Sequence, residues 1–278
     1  MIIDAHTHLF PDEVRRNRRA FCSRDEGFRL LYGNEKARMA SVDDLISAMD
    51  REGVDRSVIC AFPWKDPGMC RQANDYLFEA RDRHPGRLIP FAALPLRSLR
   101  EARRERDRTV ARGVRGIGEV AFYGKEMSAG HVRRLSAVVR DVPDLPLLLH
   151  VNEPVGHHYP GKGPPAFQMI YALVRGIPNG RIILAHWGGG IFLYELMPEV
   201  AGAFGSVFYD TAASPFLYRP EIYRLALSVV GSRRILFGSD FPLLAPGRYF
   251  REMQGVGMPS AARRDIQGLD ARNLFKLW

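Results

Sequence analysis

Cysteine is scarce in this chain: Cys22, Cys60 and Cys70 are the only three among 278 residues. Three thiols cannot make a disulfide framework, so a reducing compartment, the cytoplasm, is expected. Long apolar runs are also missing. None approaches the roughly 20 residues that a membrane helix needs, so no membrane partner is expected. The opening MIIDAHTHLF puts Asp4 and His6 where a signal peptide would carry its apolar stretch. Lysine is rare: five, against 35 arginines, in a net charge of +9. Such an excess admits an anionic partner such as nucleic acid. No zinc finger, RNA-binding aromatic strand or recognition-helix motif accompanies it, however. Arg103, Arg104, Arg106 and Arg108 alternate with Glu101, Glu105 and Asp107, as on a solvated helix face. Nucleic acid is therefore not the expected partner. A glycine-rich dinucleotide fingerprint is absent after the first apolar run.

What is present is alternation. A chain that is 46% hydrophobic and 26% charged can bury a large core, which excludes wholesale disorder. Eight short apolar runs, at 2–5, 54–60, 88–94, 114–119, 145–150, 181–186, 207–210 and 234–238, read as buried parallel strands. The stretches between them predict helices over 42–51, 72–83, 99–111, 129–140, 166–175, 192–200 and 220–229, with 261–269 and 271–277 closing the ring. Eight such units predict an α/β fold, a (β/α)8 TIM barrel, as one domain over 1–278. An open doubly wound sheet competes, weakened by the missing fingerprint. Two long loops, 10–40 and 151–165, would lie at the C-terminal face of the barrel, where sites form.

Ionisable residues collect at the strand ends. His6 and His8 follow the first run, Glu119 ends the fourth, His150 the fifth and His186 the sixth, and Asp240 lies just past the eighth. Residues i and i+2 of a strand point the same way, so His6 and His8 can reach one ion. A closed barrel gathers the other ends around the same pocket. Burying six ionisable groups without a shared task would be costly. Histidine with carboxylate suits zinc, manganese, iron or nickel, with zinc the first expectation. Asp210 ends the seventh run and reads as a supporting or capping group. In the fifth loop, His157, His158, Tyr159 and Lys162 are candidates to contact an anionic substrate. Arg24 and Arg29 in the first loop are candidate carboxylate clamps, since guanidinium is a planar fork. Trp187 and Phe241 flank site residues and read as apolar pocket walls.

The segments DAHTHLF (4–10), HVNEP (150–154), ILAHWGGG (183–190), FGSDFPLL (237–244) and ARNLFKL (271–277) together resemble the amidohydrolase superfamily of metal-dependent TIM barrels. The chain is most similar to its amidohydrolase-related branch, which includes the aminocarboxymuconate-semialdehyde decarboxylase-like enzymes. The resemblance implies His6, His8, His150 and Asp240 as metal ligands. It implies that His186 either binds a second ion or acts as base and electrophile beside a single one. Glu119, in GIGEV, resembles instead the bridging glutamate of the TatD-like deoxyribonucleases and phosphotriesterase-like groups, and departs from the decarboxylase pattern. One or two ions are thus open.

The chemistry implied is a metal-activated water with Asp240 as general base and then general acid. The expected function is hydrolysis of a small ester, lactone, amide or related substrate. The alternative is a metal-dependent non-oxidative decarboxylase or lyase of a small carboxylic acid. A nuclease and a non-catalytic barrel are weaker readings. The family resemblance also implies a homodimer.

Overall fold

Every one of the eight apolar runs forms a strand. The structure, a computed structural model, describes residues 1–164 and 166–278. The strands are β1 (Ile3–His8), β2 (Arg56–Cys60), β3 (Leu88–Ala92), β4 (Gly116–Val120), β5 (Leu147–Leu149), β6 (Ile182–Leu184), β7 (Val207–Asp210) and β8 (Ile235–Leu236). They pair in sequence order, and every pairing is parallel. The chain is a (β/α)8 barrel.

The ring closes between its first strand and the segment just past its last. Ala5 N donates to Phe237 O (2.7 Å), Asp240 N to His6 O (2.9 Å) and His8 N to Phe241 O (2.7 Å). The seam therefore runs through the same backbone that carries His6, His8 and Asp240.

Helices fill the crossovers for local reasons. Ser41 and Asp44 form a capping box at the start of Val42–Glu52, which ends at Gly53 in the left-handed region (φ 71°). Asp66 caps Pro67–Arg83, with Pro67 in the first turn, and Ser98 caps Leu99–Ala111.

The barrel interior is filled by apolar side chains such as Ala5, Cys60, Phe91, Leu148 and Leu236, joined by Ala271 and Phe275 of the C-terminal segment. Phe91 and Phe275 meet edge to face, ring centres 5.4 Å apart. The GIG of β4 follows from this packing. A Cβ on Gly116 would collide with the Phe91 ring, and Gly118 (φ 142°) leaves no room beside Leu148.

Three stretches depart from expectation. Residues 10–40 do not form one loop but fold as Asp12–Arg16, Arg18–Arg24 and Glu26–Tyr32. Their stability comes from an aromatic cluster in which Phe28 contacts Trp64 (4.9 Å) and Phe62 (5.3 Å). The 192–200 helix is replaced by a 3-10 segment, His186–Leu196, followed by Pro198–Ala203. His186 to Gly190 all have positive φ, which an α-helix cannot accommodate, and Pro198 starts a new helix. At the C-terminus, Ser260–Arg264 and Asp270–Leu274 flank a wide turn at Asp265–Leu269.

Candidate metal centre

The site lies at the C-terminal ends of the strands and is organised by Asp210, which is fully buried. Its Oδ2 accepts the Nδ1 proton of His6 at 2.8 Å. Its Oδ1 accepts from the backbone N of His186 (2.9 Å) and Ala212 (3.0 Å). The first bond holds one His6 proton on Nδ1, so Nε2 is the nitrogen that would give up its proton to an ion. That Nε2 sits 3.0 Å from His8 Nε2 and 3.6 Å from Glu119 Oε1. Asp240 Oδ1 lies 3.2 Å from His8 Nε2. Ligands at about 2.1 Å in an octahedron lie about 3.0 Å apart along its edges, so the His6–His8 and His8–Asp240 pairs stand near the separation a divalent ion imposes, with Glu119 slightly farther out.

A second group adjoins the first. His186 donates through Nδ1 to Ala212 O (3.0 Å), which turns its Nε2 to within 3.0 Å of His150 Nδ1. His150 Nδ1 is also 3.1 Å from Glu119 Oε1, and its Nε2 donates to Asn152 Oδ1 (3.1 Å). Glu119 thus belongs to two donor groups, His6–His8–Glu119 and Glu119–His150–His186. Tyr123 donates from Oη to Glu119 Oε2 (3.2 Å).

The electrostatics call for a cation. Burial opposes the charged form of His6, but Asp210, with Glu119 and Asp240, overrides it and lifts its pKa to about 10. His186 is lifted to about 9 against its burial, by Glu119 and then Asp240. Burial would raise Glu119, yet His6 and His150 hold it well below the carboxylate range. Asp240 is likewise lowered against burial, by its bond to His8 and by His6. In the protein alone these protons supply the positive charge that the carboxylates require. The donor set of imidazole nitrogens and carboxylate oxygens fits a divalent metal ion.

Backbone conformation is spent on this arrangement. His186 and Asp240, both non-glycine, have φ of 58°. Gly189 is obligatory in the turn after His186, because a Cβ there would collide with the Asn152 carbonyl.

Over the donors lies a cavity of about 470 Å³, within the range of small-molecule sites. Tyr32, Tyr123, Phe216 and Leu243 supply apolar wall, and Lys36 and Arg38 stand on its lining. His157 and Tyr159 also line it. Lys162 is instead tied to the carbonyls of Val155 (2.7 Å) and His157 (3.0 Å), bracing the loop. His158 is exposed outside the lining. Residue 165 of this loop lies outside the described residues.

Trp187 is turned into the helix-side core, where its indole donates to Ser214 Oγ (2.9 Å), so it forms no cavity wall. Phe241 is buried in the aromatic cluster beside β1. Arg24 and Arg29 line separate surface hollows, carried away from the cavity by the short helices of the 10–40 stretch. Tyr32, Tyr123, Phe216, Leu243, Lys36 and Arg38 are among the lining residues that sequence reading missed. Tyr123 alone carried a signal, its place just after β4 on the face where sites form.

A metal-binding (β/α)8 barrel with histidine and carboxylate donors is the class these features define. The amidohydrolase family profile matches residues 3–277, and the chain belongs to that family. It is 24% identical to a gamma-resorcylate decarboxylase of Polaromonas sp., over 87% of this chain and 90% of the relative. Among solved structures it is similar to a dihydroxybenzoic acid decarboxylase from Polaromonas sp. with bound manganese and the inhibitor 2-nitroresorcinol. That match has a TM-score of 0.72 and 20% identity, covering 99% of this chain and 97% of the other. It is also similar to 5-carboxyvanillate decarboxylase from Novosphingobium aromaticivorans, complexed with manganese and 4-hydroxy-3-methoxy-5-nitrobenzoic acid. There the TM-score is 0.79 at 17% identity, covering 100% and 96%. Among the described residues, no helix is long and apolar enough to cross a membrane.

Proposed function

We propose that this chain, acting as a single barrel domain, is a metal-dependent non-oxidative decarboxylase of small aromatic carboxylates. The relatives are named for that reaction, which favours the decarboxylase alternative over the hydrolysis expected from Glu119. The observation that carries the reading is the juxtaposition of the buried donor cluster with a cavity walled by Tyr32, Tyr123 and Phe216 and bearing Lys36 and Arg38. That lining suits a planar, anionic ring.

His6, His8 and Asp240, with Glu119, would hold the essential ion. Glu119, His150 and His186 offer donors for a second. Manganese is the first ion to test, because both metal-bound structures contain it. A divalent ion in this position supplies Lewis-acid polarisation of substrate oxygens. The chain's own residues do the rest. Tyr32 and Phe216, on the cavity wall, would pack against the ring and exclude water. Asp240, ionised in the resting site, would take the proton of a substrate hydroxyl and pass it to the ring carbon that bears the carboxylate, and solvent finally restores the hydroxyl. The bond to the carboxyl carbon then breaks, its electron pair returns to the ring, and carbon dioxide leaves. The balance is one proton in and one carbon dioxide out, with no redox partner.

The test is a panel of hydroxybenzoates assayed for carbon dioxide release by manganese-loaded protein, beside esters, lactones and amides. Decarboxylation of at least one acid, lost in Asp240→Asn, supports the proposal. Hydrolysis without any carbon dioxide release returns the chain to the hydrolase reading.

A further inference from the structure

A second hollow backs onto the metal centre and takes no part in the reaction above. It measures about 190 Å³ and is built from the segments that follow β2, β3 and β4. It shares Glu119 and Tyr123 with the main cavity. The Tyr123 ring faces both. On one face it stacks on Phe62 (5.8 Å between centres, 24° between planes), and it also meets His150 edge to face at 5.2 Å.

The charge around this hollow is one-sided. Lys65, Arg97, Lys125 and Arg134 line it against the carboxylates Asp25 and Glu119. Both carboxylates are already engaged. Asp25 accepts from the backbone N of Phe28 (3.1 Å) and Lys65 (3.4 Å), and Glu119 is held among the site histidines. Lys125 pairs with Glu26 at 3.2 Å. Among the described residues, the side chains of Lys65, Arg134 and the exposed Arg97 make no ion pair or hydrogen bond, and the Nε of Arg134 is buried without a partner. A buried guanidinium nitrogen left unpaired is costly. The Nε atoms of Arg15 and Arg272 are buried without partners too, but Arg15 pairs with Asp12 through a terminal nitrogen and Arg272 stacks on Trp278, whereas among the described residues Arg134 has neither. His131, stacked on Phe122 at 4.2 Å, is held below its ordinary pKa by burial and by Arg134, a sign of locally positive potential.

The geometry points to an oxyanion subsite, formed by Arg134, Arg97 and Lys65, beside the metal centre, with Glu119 and Tyr123 lining both hollows. Its ligand is a small carboxylate-like oxyanion. The source is either a second, distal carboxylate of the substrate or a free anion such as bicarbonate. The forked guanidinium of Arg134 would take two oxygens at once.

Two measurements on full-length, metal-loaded protein decide it. The first follows binding of formate by nuclear magnetic resonance in the parent, in Arg134→Gln and in Arg97→Gln, with circular dichroism confirming the fold. The second compares KM and kcat for salicylate, with one carboxylate, and 4-hydroxyisophthalate, with two. Loss of a charge-assisted bidentate contact corresponds to about tenfold or more in affinity. If Arg134→Gln raises KM about tenfold for 4-hydroxyisophthalate alone, at unchanged kcat, the subsite reads a distal substrate carboxylate. If it weakens formate about tenfold and moves neither KM, the subsite holds a free oxyanion. Formate affinity and both KM values unchanged in both variants overturn the inference. The second arm rests on the decarboxylase reading and the first does not. A protein that binds formate through Arg134 but decarboxylates nothing would therefore sink the proposed function and keep the subsite.

Discussion

Replacing Asp210 by asparagine exchanges one oxygen for an amide nitrogen at the point where the metal centre is oriented. The carboxylate takes three protons, from His6 Nδ1 and from the backbone N of His186 and Ala212. Asparagine can satisfy only part of this. If its oxygen turns to His6, its NH2 faces two backbone N–H groups, and two buried donors go unpaired at about 1–3 kcal/mol each. If its oxygen stays with the backbone, the NH2 faces His6 Nδ1, which must become an acceptor. The second arrangement is the cheaper, and it moves the His6 proton to Nε2, the atom aimed at the ion. Binding metal then requires restoring the first tautomer without the charge-assisted bond that Asp210 gives the Nδ1 proton in the parent, a loss of about 1.5–3 kcal/mol. That corresponds to roughly 10- to 150-fold, in line with the 10- to 100-fold usual for groups that orient ligands. The assay is competition for Mn²⁺ against a chromogenic chelator at fixed pH, using metal-free parent and Asp210→Asn with matching circular dichroism. A variant whose manganese affinity stays within twofold of the parent would refute the tautomer argument.

Glu119→Gln removes the charge common to both donor groups, so manganese affinity should fall at least about tenfold by the same chelator competition. Gly116→Ala should cost about 1–3 kcal/mol of stability, read by urea denaturation, because its Cβ meets the Phe91 ring. Adding Phe91→Leu should return part of that loss, and strictly additive effects would contradict the packing account. Asp270 is pushed up to about 7, by burial first and then by Asp265, and its Oδ2 has no partner. A carboxyl whose folded pKa exceeds its unfolded value of 3.8 favours folding in its protonated form, so the fold loses stability as pH rises from about 4 to 7. Asp270→Asn should therefore raise Tm at pH 8, with the gain vanishing near pH 4. An equal gain at both pH values would contradict the assignment.

The barrel was legible because its signals are local. Buried parallel strands are continuous apolar runs, and Ser41 and Ser98 mark helix starts within a residue. The donor residues were legible for a related reason: ionisable groups at the ends of apolar strands are expensive unless they work together. What escaped depends on contacts distant in sequence. The short helices between 12 and 32 are too brief to hold themselves and lean on Phe62 and Trp64 from beyond β2. Lys36 and Arg38 reach the cavity, while Arg24 and Arg29 do not, solely because of how those helices turn. Trp187 follows a site histidine, yet the left-handed turn at 186–190 rotates it into the core.

The seam between β1 and the segment after β8 also sets an order of events during synthesis. His6 and His8 leave the ribosome long before Asp240, which follows them by more than two hundred residues. Until then the two histidines have neither Asp210 to fix a tautomer nor Asp240 to complete the donors, so a nascent chain holds metal weakly. The hydrogen bonds from Asp240 N to His6 O and from His8 N to Phe241 O form the ring and the metal site in one step. Metal capture thus reports that the last strand has found the first, and a bound ion becomes a clasp between them. A chain truncated before residue 240 should lack both the closed ring and the ion.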